Sequence, residues 1–253
     1  MPDPERPHSS TSTLTREVEL TGIPLPLLER RLRPISTRPA GSLVIHEIYR
    51  SLQGEGTHAG LPCVFVRLTG CHLRCGYCDS PHAFTQGEVR TIDDVVDTVL
   101  GFDDRLVQIT GGEPLLQAEV YPLMSRLADA GRTLLLETSG GVDTSRVDPR
   151  VRVILDVKTP GSGEEQANVW SNLDRLKPGD EVKFIICDPR DFHWSLEVID
   201  RYDLTARVPV LVSPCFGKIN LEELAQLVLD SGRCLRLQVQ LHKILWEPDR
   251  RGV

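Results

Sequence analysis

The chain alternates short apolar segments with amphipathic ones, and this alternation limits the possible folds more than any other feature of the sequence. Apolar runs of strand length end in Gly, Ser, Thr, Lys or Glu and lead into patterns of helical period. Strands that alternate with helices form a parallel sheet, either open or partly closed into a (β/α) barrel. The predicted strands are Leu43–Tyr49, Cys63–Leu68, Leu106–Thr110, Thr133–Glu137, Val151–Val157, Glu181–Cys187, Val208–Val212 and Cys234–Leu241. The predicted helices are Thr91–Leu100, Gln117–Ala130, Phe192–Tyr202 and Leu221–Asp230.

Three cysteines, Cys71, Cys75 and Cys78, stand within eight residues in the spacing C-x3-C-x2-C. Thiolates are the ligands of iron–sulfur clusters. Three of them leave one iron of a [4Fe–4S] cluster open to an amine and a carboxylate, as in radical S-adenosylmethionine (SAM) enzymes. A structural zinc site would use four ligands, often two separated C-x2-C pairs. The chain has no second pair, and Cys63 or His72 would have to be the fourth ligand, so the spacing favours the cluster.

Composition sets the broad class of the protein. With 253 residues, 40% of them hydrophobic and 26% charged, the chain can form one sizeable core. We expect no membrane span and a cytoplasmic location, since long apolar runs are missing and seven cysteines suit a reducing compartment. A net charge of −7 argues against nucleic acid as a partner.

The first 41 residues differ in composition from the rest and carry many Pro, Ser, Thr and Arg residues. Such a segment buries too little apolar surface to fold alone. We therefore predict a flexible N-terminal extension over residues 1–41, with a short helix near Pro24–Leu32, and one folded domain over residues 42–253.

Polar residues after or within the apolar runs are the candidate ligand-binding groups. Gln53 and Glu55 alternate with glycines in a loop where backbone can approach a ligand closely. Arg67 interrupts an apolar strand, and it either faces solvent or points inward to hold a substrate carboxylate by a bidentate pair. Asp79 and Ser80 follow the last cysteine and could give Mg²⁺ an oxygen ligand.

Gly111-Gly112-Glu113-Pro114 follows a strand and lies downstream of the cysteines, and this context makes an otherwise weak motif informative. Glu113 can accept hydrogen bonds from the amino group of SAM. Ser139 and Lys158 are candidates for the ribose or the carboxylate of SAM. The alternative for each is a residue in a surface turn.

Together, these motifs resemble the 7-carboxy-7-deazaguanine synthase family of radical SAM enzymes over about residues 43 to 248. The cysteines identify the superfamily alone, whereas the Gln-Gly-Glu-Gly loop and the His-Lys ending are specific to this branch. The resemblance rests on Glu47-Ile48, Ser51–Gly56, Phe65–Leu68, Gly70-Cys71, Cys78–Ser80, Thr110–Gln117, Glu137–Gly140, Asp156–Pro160 and His242–Trp246.

The resemblance implies a partial (β/α) barrel of the radical SAM type and a lyase of queuosine and deazapurine biosynthesis. Its substrate would be 6-carboxy-5,6,7,8-tetrahydropterin, and its products 7-carboxy-7-deazaguanine and ammonia. Hydrogen abstraction by a SAM-derived radical and a Mg²⁺-assisted ring contraction would connect them. The implied cofactors are a [4Fe–4S] cluster, SAM and Mg²⁺. The implied partners are a reducing donor such as flavodoxin or ferredoxin and a second copy of the chain.

The resemblance also implies roles for individual residues. Cys71, Cys75 and Cys78 would hold the cluster, and Ser80 would hold Mg²⁺ at a position where the family usually has Thr. The implied SAM contacts are Tyr77, Cys78, Asp79, Gly112, Glu113, Ser139, Asp156, Val157, Lys158, Ser213, Pro214, Cys215 and Phe216. The implied substrate contacts are Leu52, Gln53, Gly54, Glu55, Arg67, Thr110, His242 and Pro248.

Two other functions share part of this pattern. A radical SAM activase of a partner protein would have the cysteines and the Gly-Gly-Glu-Pro loop, but would not need Gln53, Glu55 and Arg67 at a pterin-sized site. A non-catalytic zinc-binding module is the other alternative, and metal analysis separates it from both enzymes, because it would hold one zinc ion in place of about four irons. Residues 249–253 follow Pro248, near which some relatives end, and this puts the role of Pro248 in question.

Overall fold

The computed structural model describes residues 23–253, whose central feature is a nine-stranded sheet with the order β3-β1-β2-β4-β5-β6-β7-β8-β9. From β2 to β9 all neighbouring strands are parallel, whereas β1 is antiparallel to both β2 and β3. The strands are β1 (Ser42–Leu52), β2 (Pro62–Leu68), β3 (Glu88–Thr91), β4 (Leu106–Gly111), β5 (Thr133–Thr138), β6 (Arg152–Val157), β7 (Glu181–Ile186), β8 (Val210–Pro214) and β9 (Leu235–Leu237).

Helices connect the parallel strands. The helices are α1 (Leu25–Ser36), α2 (Ile92–Leu100), α3 (Val120–Asp129), α4 (Ser171–Asp174), α5 (Pro189–Arg201), α6 (Leu204–Arg207), α7 (Leu221–Asp230) and α8 (His242–Leu245). Three of them begin at a side-chain cap: the Thr91, Asp188 and Asn220 oxygens accept from backbone amides of the first turn. None of the helices in residues 23–253 is long and apolar enough to cross a membrane.

The α/β prediction with a parallel core is confirmed, and the differences are local. β3 was not predicted, because Glu88–Thr91 is short, polar and mostly exposed, so it lacks the apolar run of a central strand. The last strand was predicted over Cys234–Leu241, but only Leu235–Leu237 pair with β8. The chain leaves the sheet after Leu237 and turns toward the carboxyl ends of the strands.

The segment before β1 also differs from its prediction. Helix α1 buries Leu28, Leu32 and Ile35, which join the main hydrophobic core. Residues 25–36 therefore belong to the folded domain, and the predicted boundary at residue 41 was placed too late. The rest of the predicted flexible extension, residues 1–22, lies outside the described residues.

Helix α1 also supports the cysteine loop directly. A Cβ on Gly70 would lie 2.9 Å from a methyl group of Ile35, and the Arg31 guanidinium donates a hydrogen bond to the backbone carbonyl of His72. The helix thus covers the chain on both sides of Cys71.

We predict that Leu28→Ala destabilises the domain by about 2–5 kcal/mol, because it removes a buried side chain and leaves a cavity. Leu25→Ala is the matched control on the same helix; Leu25 is 41% exposed, and its replacement should cost less than about 0.5 kcal/mol. Urea unfolding of both variants measures the difference. Equal unfolding free energies would show that α1 does not contribute to the folded core.

Candidate active site

A cavity of about 800 Å³ lies at the carboxyl ends of the parallel strands. Its volume is within the usual range of small-molecule sites, roughly 300–1,000 Å³. Most of the predicted site residues line it: Leu52, Gln53, Gly54, Glu55, Arg67, Cys71, Cys75, Tyr77, Cys78, Asp79, Ser80, Thr110, Gly112, Ser139, Asp156, Lys158, Ser213, Pro214, Cys215, Phe216, His242 and Pro248. The fold therefore brings residues from nearly every parallel strand to one site.

Two predicted SAM contacts do not line this cavity. Val157 is buried in the hydrophobic core, since the alternation along β6 turns it away from the side of Asp156. The Glu113 carboxylate is fully buried and accepts hydrogen bonds from Leu115 N, Thr138 Oγ1, Ser139 N and Ser139 Oγ at 2.5–3.0 Å. Burial outweighs these bonds and raises the pKa of Glu113. Glu113 thus joins the end of β4 to the end of β5, and its contact with SAM stays a prediction.

The glycines before Glu113 hold the cysteine loop against the sheet. A Cβ on Gly112 would collide with the carbonyl of Gly70 and lie 2.7 Å from the Cβ of Cys71. The backbone amide of Gly112 donates to Leu68 O at 3.1 Å, and that of Glu113 donates to Gly70 O at 2.8 Å. Since no side chain fits between these segments, the Gly-Gly pair is required for the loop to dock.

The cysteines suit a cluster better than a single zinc ion. Among the described residues, the three thiols do not form a group whose ligand atoms all lie within 4.8 Å of one another. A zinc ion with Zn–S bonds of about 2.3 Å would draw its sulfurs closer than that. Burial raises the pKa of Cys71 to about 12, so its thiol keeps its proton until a metal replaces it.

Five buried side-chain polar atoms have no hydrogen-bond partner within the described residues. Two are the ring nitrogens of His72 in the cysteine loop, and the other three are Tyr77 Oη, Asp156 Oδ1 and Ser213 Oγ. The side chains of these last three line the cavity. Buried polar atoms are normally paired, and unpaired ones at a cavity wall indicate a bound ligand. The Asp156 carboxylate also accepts from Lys158 Nζ at 2.9 Å, which leaves its other oxygen for such a ligand.

A buried lysine organises the floor of the cavity. Lys183 Nζ lies 2.9 Å from the Glu55 carboxylate, donates to Glu137 and lies 3.9 Å from Asp156. Burial opposes its charge, but Glu137 and Glu55 raise the pKa of Lys183 well above its usual value. Burial favours a neutral Glu55, yet the charge of Lys183 and a hydrogen bond from Gln240 keep its pKa below normal.

Amide side chains extend this network across the sheet. Gln53 Nε2 donates to Gln108 Oε1 at 2.5 Å, and Gln108 Nε2 donates to Glu137 at 2.9 Å. Gln240 Nε2 donates to both Glu55 and Asp79 at 3.0 Å. These bonds fix the Gln-Gly-Glu-Gly loop to three different strands or loops, so the polar surface is ordered without a ligand.

Arg67 points into the cavity, and this excludes the alternative of a strand residue turned to solvent. Its Nε donates to Glu47 at 2.8 Å, Nη2 to Tyr49 Oη at 3.1 Å, and Nη1 reaches Ser80 Oγ at 3.4 Å. These three contacts fix the position of the Arg67 guanidinium. Ser80 Oγ in turn donates to Asp79 Oδ1 at 2.9 Å, which brings the predicted Mg²⁺ ligand within reach of Arg67.

The C-terminal segment closes the other side of the cavity. A Cβ on Gly54 would lie 2.9 Å from His242 Nδ1, and Leu241 N donates to Gly54 O at 3.0 Å. Burial lowers the pKa of His242. Pro248 lines the cavity together with residues 249–253, so the segment beyond Pro248 extends this wall.

Sequence reasoning missed several cavity residues, above all Gln108, Glu137 and Lys183. Each is a polar side chain inside an otherwise apolar strand. Arg67 was identified from that same signal, because a charge in a buried strand needs a partner. A search of every predicted strand for polar residues among apolar ones would also have identified Gln108, Glu137 and Lys183.

Comparison with known proteins agrees with the motifs. The sequence profile of the Radical SAM superfamily matches residues 65–230. A 7-carboxy-7-deazaguanine synthase from Chlorobaculum tepidum is 41% identical over 214 residues, covering 83% of this chain and 97% of the relative. One from Koribacter versatilis is 42% identical over 224 residues, covering 83% and 99%. The crystal structure of QueE from Escherichia coli has a TM-score of 0.67 at 24% identity, covering 79% of this chain and 95% of that one.

We predict that Lys183→Met destabilises the protein by about 3–5 kcal/mol at pH 7, because it removes a buried cation and leaves the half-buried carboxyl groups of Glu55 and Glu137 without it. The loss should shrink as pH falls below about 4.3, since the stability that comes from the lowered pKa of Glu55 disappears as this group is protonated. Urea unfolding of matched preparations at several pH values measures both effects.

Arg126→Met is the control for this experiment, because it breaks the exposed pair with Asp93 and should cost at most about 1 kcal/mol. A loss for Lys183→Met that does not change with pH would mean that the lysine contributes packing rather than charge.

Proposed function

Since the chain belongs to the 7-carboxy-7-deazaguanine synthase family of the radical SAM superfamily, we propose that it converts 6-carboxy-5,6,7,8-tetrahydropterin to 7-carboxy-7-deazaguanine with loss of ammonia. One observation carries the proposal: a single cavity joins the three cysteines to an inward arginine and two lysine-bound carboxylates. A radical SAM activase would need neither of the last two features.

The proposed cluster ligands are Cys71, Cys75 and Cys78. When bound, the reduced cluster supplies the electron that cleaves SAM and so generates the hydrogen-abstracting radical. The chain's own contribution is to bury Cys71, to half-bury Cys75 and Cys78, and to hold their loop against the backbone of Gly112. A rigid loop fixes the distance between SAM and the substrate, on which hydrogen abstraction depends.

SAM would lie against the unpaired atoms of Tyr77, Asp156 and Ser213. Asp156, which is hydrogen-bonded to Lys158, can accept from the ribose hydroxyls or the amino group through its other oxygen, and the Ser213 hydroxyl can donate or accept. Ser139 lines the same wall, although its hydroxyl is already bonded to Glu113. These donors and acceptors are suited to a polar, zwitterionic ligand.

The pterin would bind between Arg67 and the Lys183 network. Arg67 is held by Glu47 and Tyr49, so its fork is oriented before the substrate carboxylate arrives. Glu55 and Glu137 both contact Lys183, and their carboxyl oxygens can accept from the N–H groups of the pterin ring. Gln53 and Thr110 supply further polar contacts, and Leu52 and His242 complete the wall.

The proposed Mg²⁺ ligand is Ser80, next to Asp79. Hard cations prefer oxygen ligands, and Ser retains the hydroxyl of the usual Thr. Although burial opposes ionisation, the hydrogen bond from Gln240 and the nearby Lys243 hold the pKa of Asp79 below its usual value. This second oxygen donor supports the assignment. A flavodoxin or ferredoxin donor and a homodimer stay predictions from the family resemblance.

We predict that the reconstituted, reduced protein releases 7-carboxy-7-deazaguanine when it is incubated with SAM and the carboxytetrahydropterin. Cys75→Ala should lose both iron and turnover, because two thiolates do not retain a site-differentiated cluster. Cys234→Ala, which removes an exposed free cysteine, is the matched control and should keep both. The measurements are iron content and product by mass spectrometry.

Cleavage of SAM without the deazapurine would rule out the proposed substrate and favour a different radical SAM reaction. Turnover by an iron-free Cys75→Ala variant would rule out the assigned cluster ligands.

We also predict that Arg67→Ala lowers kcat/KM for the pterin about 10- to 100-fold, the worth of one to two charge-assisted hydrogen bonds. Slow SAM cleavage without substrate should persist, because Arg67 does not belong to the cysteine loop. Arg50→Ala is the control: Arg50 is exposed and paired with Asp104 outside the cavity. Loss of the cluster in Arg67→Ala would show that the arginine has a structural role instead.

A further inference from the structure

A second group of metal-ligating side chains converges beside Arg67. One ligand atom each of His46, Glu47 and His82 lies within 4.8 Å of the other two, and no other group of three meets this criterion in residues 23–253. We propose that these three side chains bind a transition-metal dication, Zn²⁺ foremost, at a site distinct from the cysteines and from Ser80.

An irregularity in β1 lets two consecutive residues, His46 and Glu47, bring their side chains to the same place. Side chains normally alternate across a strand, and His46 and Glu47 would then point to opposite faces. The pairing of β1 with β2 shifts between Ile45, opposite Leu68, and Glu47, opposite Arg67. His46 is thus the extra residue of a β-bulge, which redirects its side chain toward that of Glu47.

One ring nitrogen of His46 has the backbone partner that is usual for a metal-bound histidine. Its Nδ1 lies 2.9 Å from the backbone carbonyl of Gln86. A proton on Nδ1 makes this a hydrogen bond and leaves Nε2 with a free lone pair. Most metal-bound histidines are held in this way, with the second ring nitrogen donating to a carbonyl or a carboxylate.

The other two ligands come from the cavity wall. His82 lies in the turn Pro81–Phe84, and its ring centroid is 4.8 Å from that of His46 with the rings tilted by 44°. Glu47 uses Oε1 to accept from Arg67, so Oε2 is available. Since Glu47 and His82 both line the cavity, a metal held by the three residues would keep an open position toward it.

The ligand set decides which metal binds. Two imidazoles and one carboxylate form a common open zinc site. Imidazole selects for Zn²⁺ and its transition-metal neighbours over Mg²⁺, which requires oxygen ligands. Because the Arg67 guanidinium shares the Glu47 carboxylate and repels a dication, we expect micromolar rather than nanomolar affinity.

The test is a zinc titration of the cluster-loaded enzyme under anaerobic conditions, in competition with a chromophoric chelator. Loading the cluster first occupies the three cysteines. We expect one Zn²⁺ per chain, no displacement by millimolar Mg²⁺, and binding at least about tenfold weaker in His46→Gln and in His82→Gln. His193→Gln, on the exposed face of α5, is the matched control and should bind as the unmodified chain does.

His82 lies in a short turn near the surface, so His82→Gln tests the site even where replacement at the bulge disturbs β1. Unchanged zinc affinity in His82→Gln would overturn the proposal. Zinc uptake accompanied by an equivalent loss of iron would also overturn it, because the zinc would then occupy the cysteines.

Discussion

The end of β4 lies against the chain that enters the cysteine loop with no space for a side chain between them, and the remainder of the site depends on this contact. Gly111 has a φ of +149°, and a Cβ there would collide with the backbone of Leu68. Gly112 touches Gly70 and Cys71 in the same way. This contact fixes the three thiols relative to the parallel sheet, and hence relative to every side chain at its carboxyl edge.

The site also has to stabilise several charged side chains that are largely shielded from water. Glu55, Glu137 and Asp156 line one cavity, and Lys183 contacts all three. Burial opposes the charge of Lys183, but the three acids raise its pKa well above the usual value. Burial also opposes the charge of Glu55, yet Lys183 helps to hold the pKa of Glu55 below its usual value, so this group stays an ionised acceptor for a ligand. Arg67, which also lines the cavity, forms an ion pair with Glu47 that balances its charge.

The sequence was sufficient for the sheet and for much of the site. Central strands such as β4 and β7 are mostly apolar, so they could be predicted without tertiary information. The polar residues that follow such strands meet at one edge of a parallel sheet. β3 was missed because its pairing with β1 is determined by tertiary contacts. A short helix was predicted near Pro24–Leu32 but was placed in a flexible extension because of its composition. It extends to Ser36, and the spacing of Leu28, Leu32 and Ile35 is that of a buried helical face.

Tertiary contacts also determine parts of the site that the sequence does not show. The hydrogen bonds that Glu113 accepts from the end of β5 depend on how β4 and β5 pack side by side. His46 and His82 could not be connected from sequence, because their approach depends on a bulge in β1 and on the turn after the cysteine loop. Lys183 was accessible to the reasoning already used for Arg67.

The proposed function requires that the three thiols of one loop hold a cluster whose fourth iron is open to SAM. Electron paramagnetic resonance of the reduced, reconstituted protein, recorded with and without SAM, is the decisive measurement. We expect a [4Fe–4S]⁺ signal that changes when SAM is added, because SAM would bind the iron that lacks a cysteine. A signal unaffected by saturating SAM, or a protein that remains free of iron after reconstitution, would contradict it.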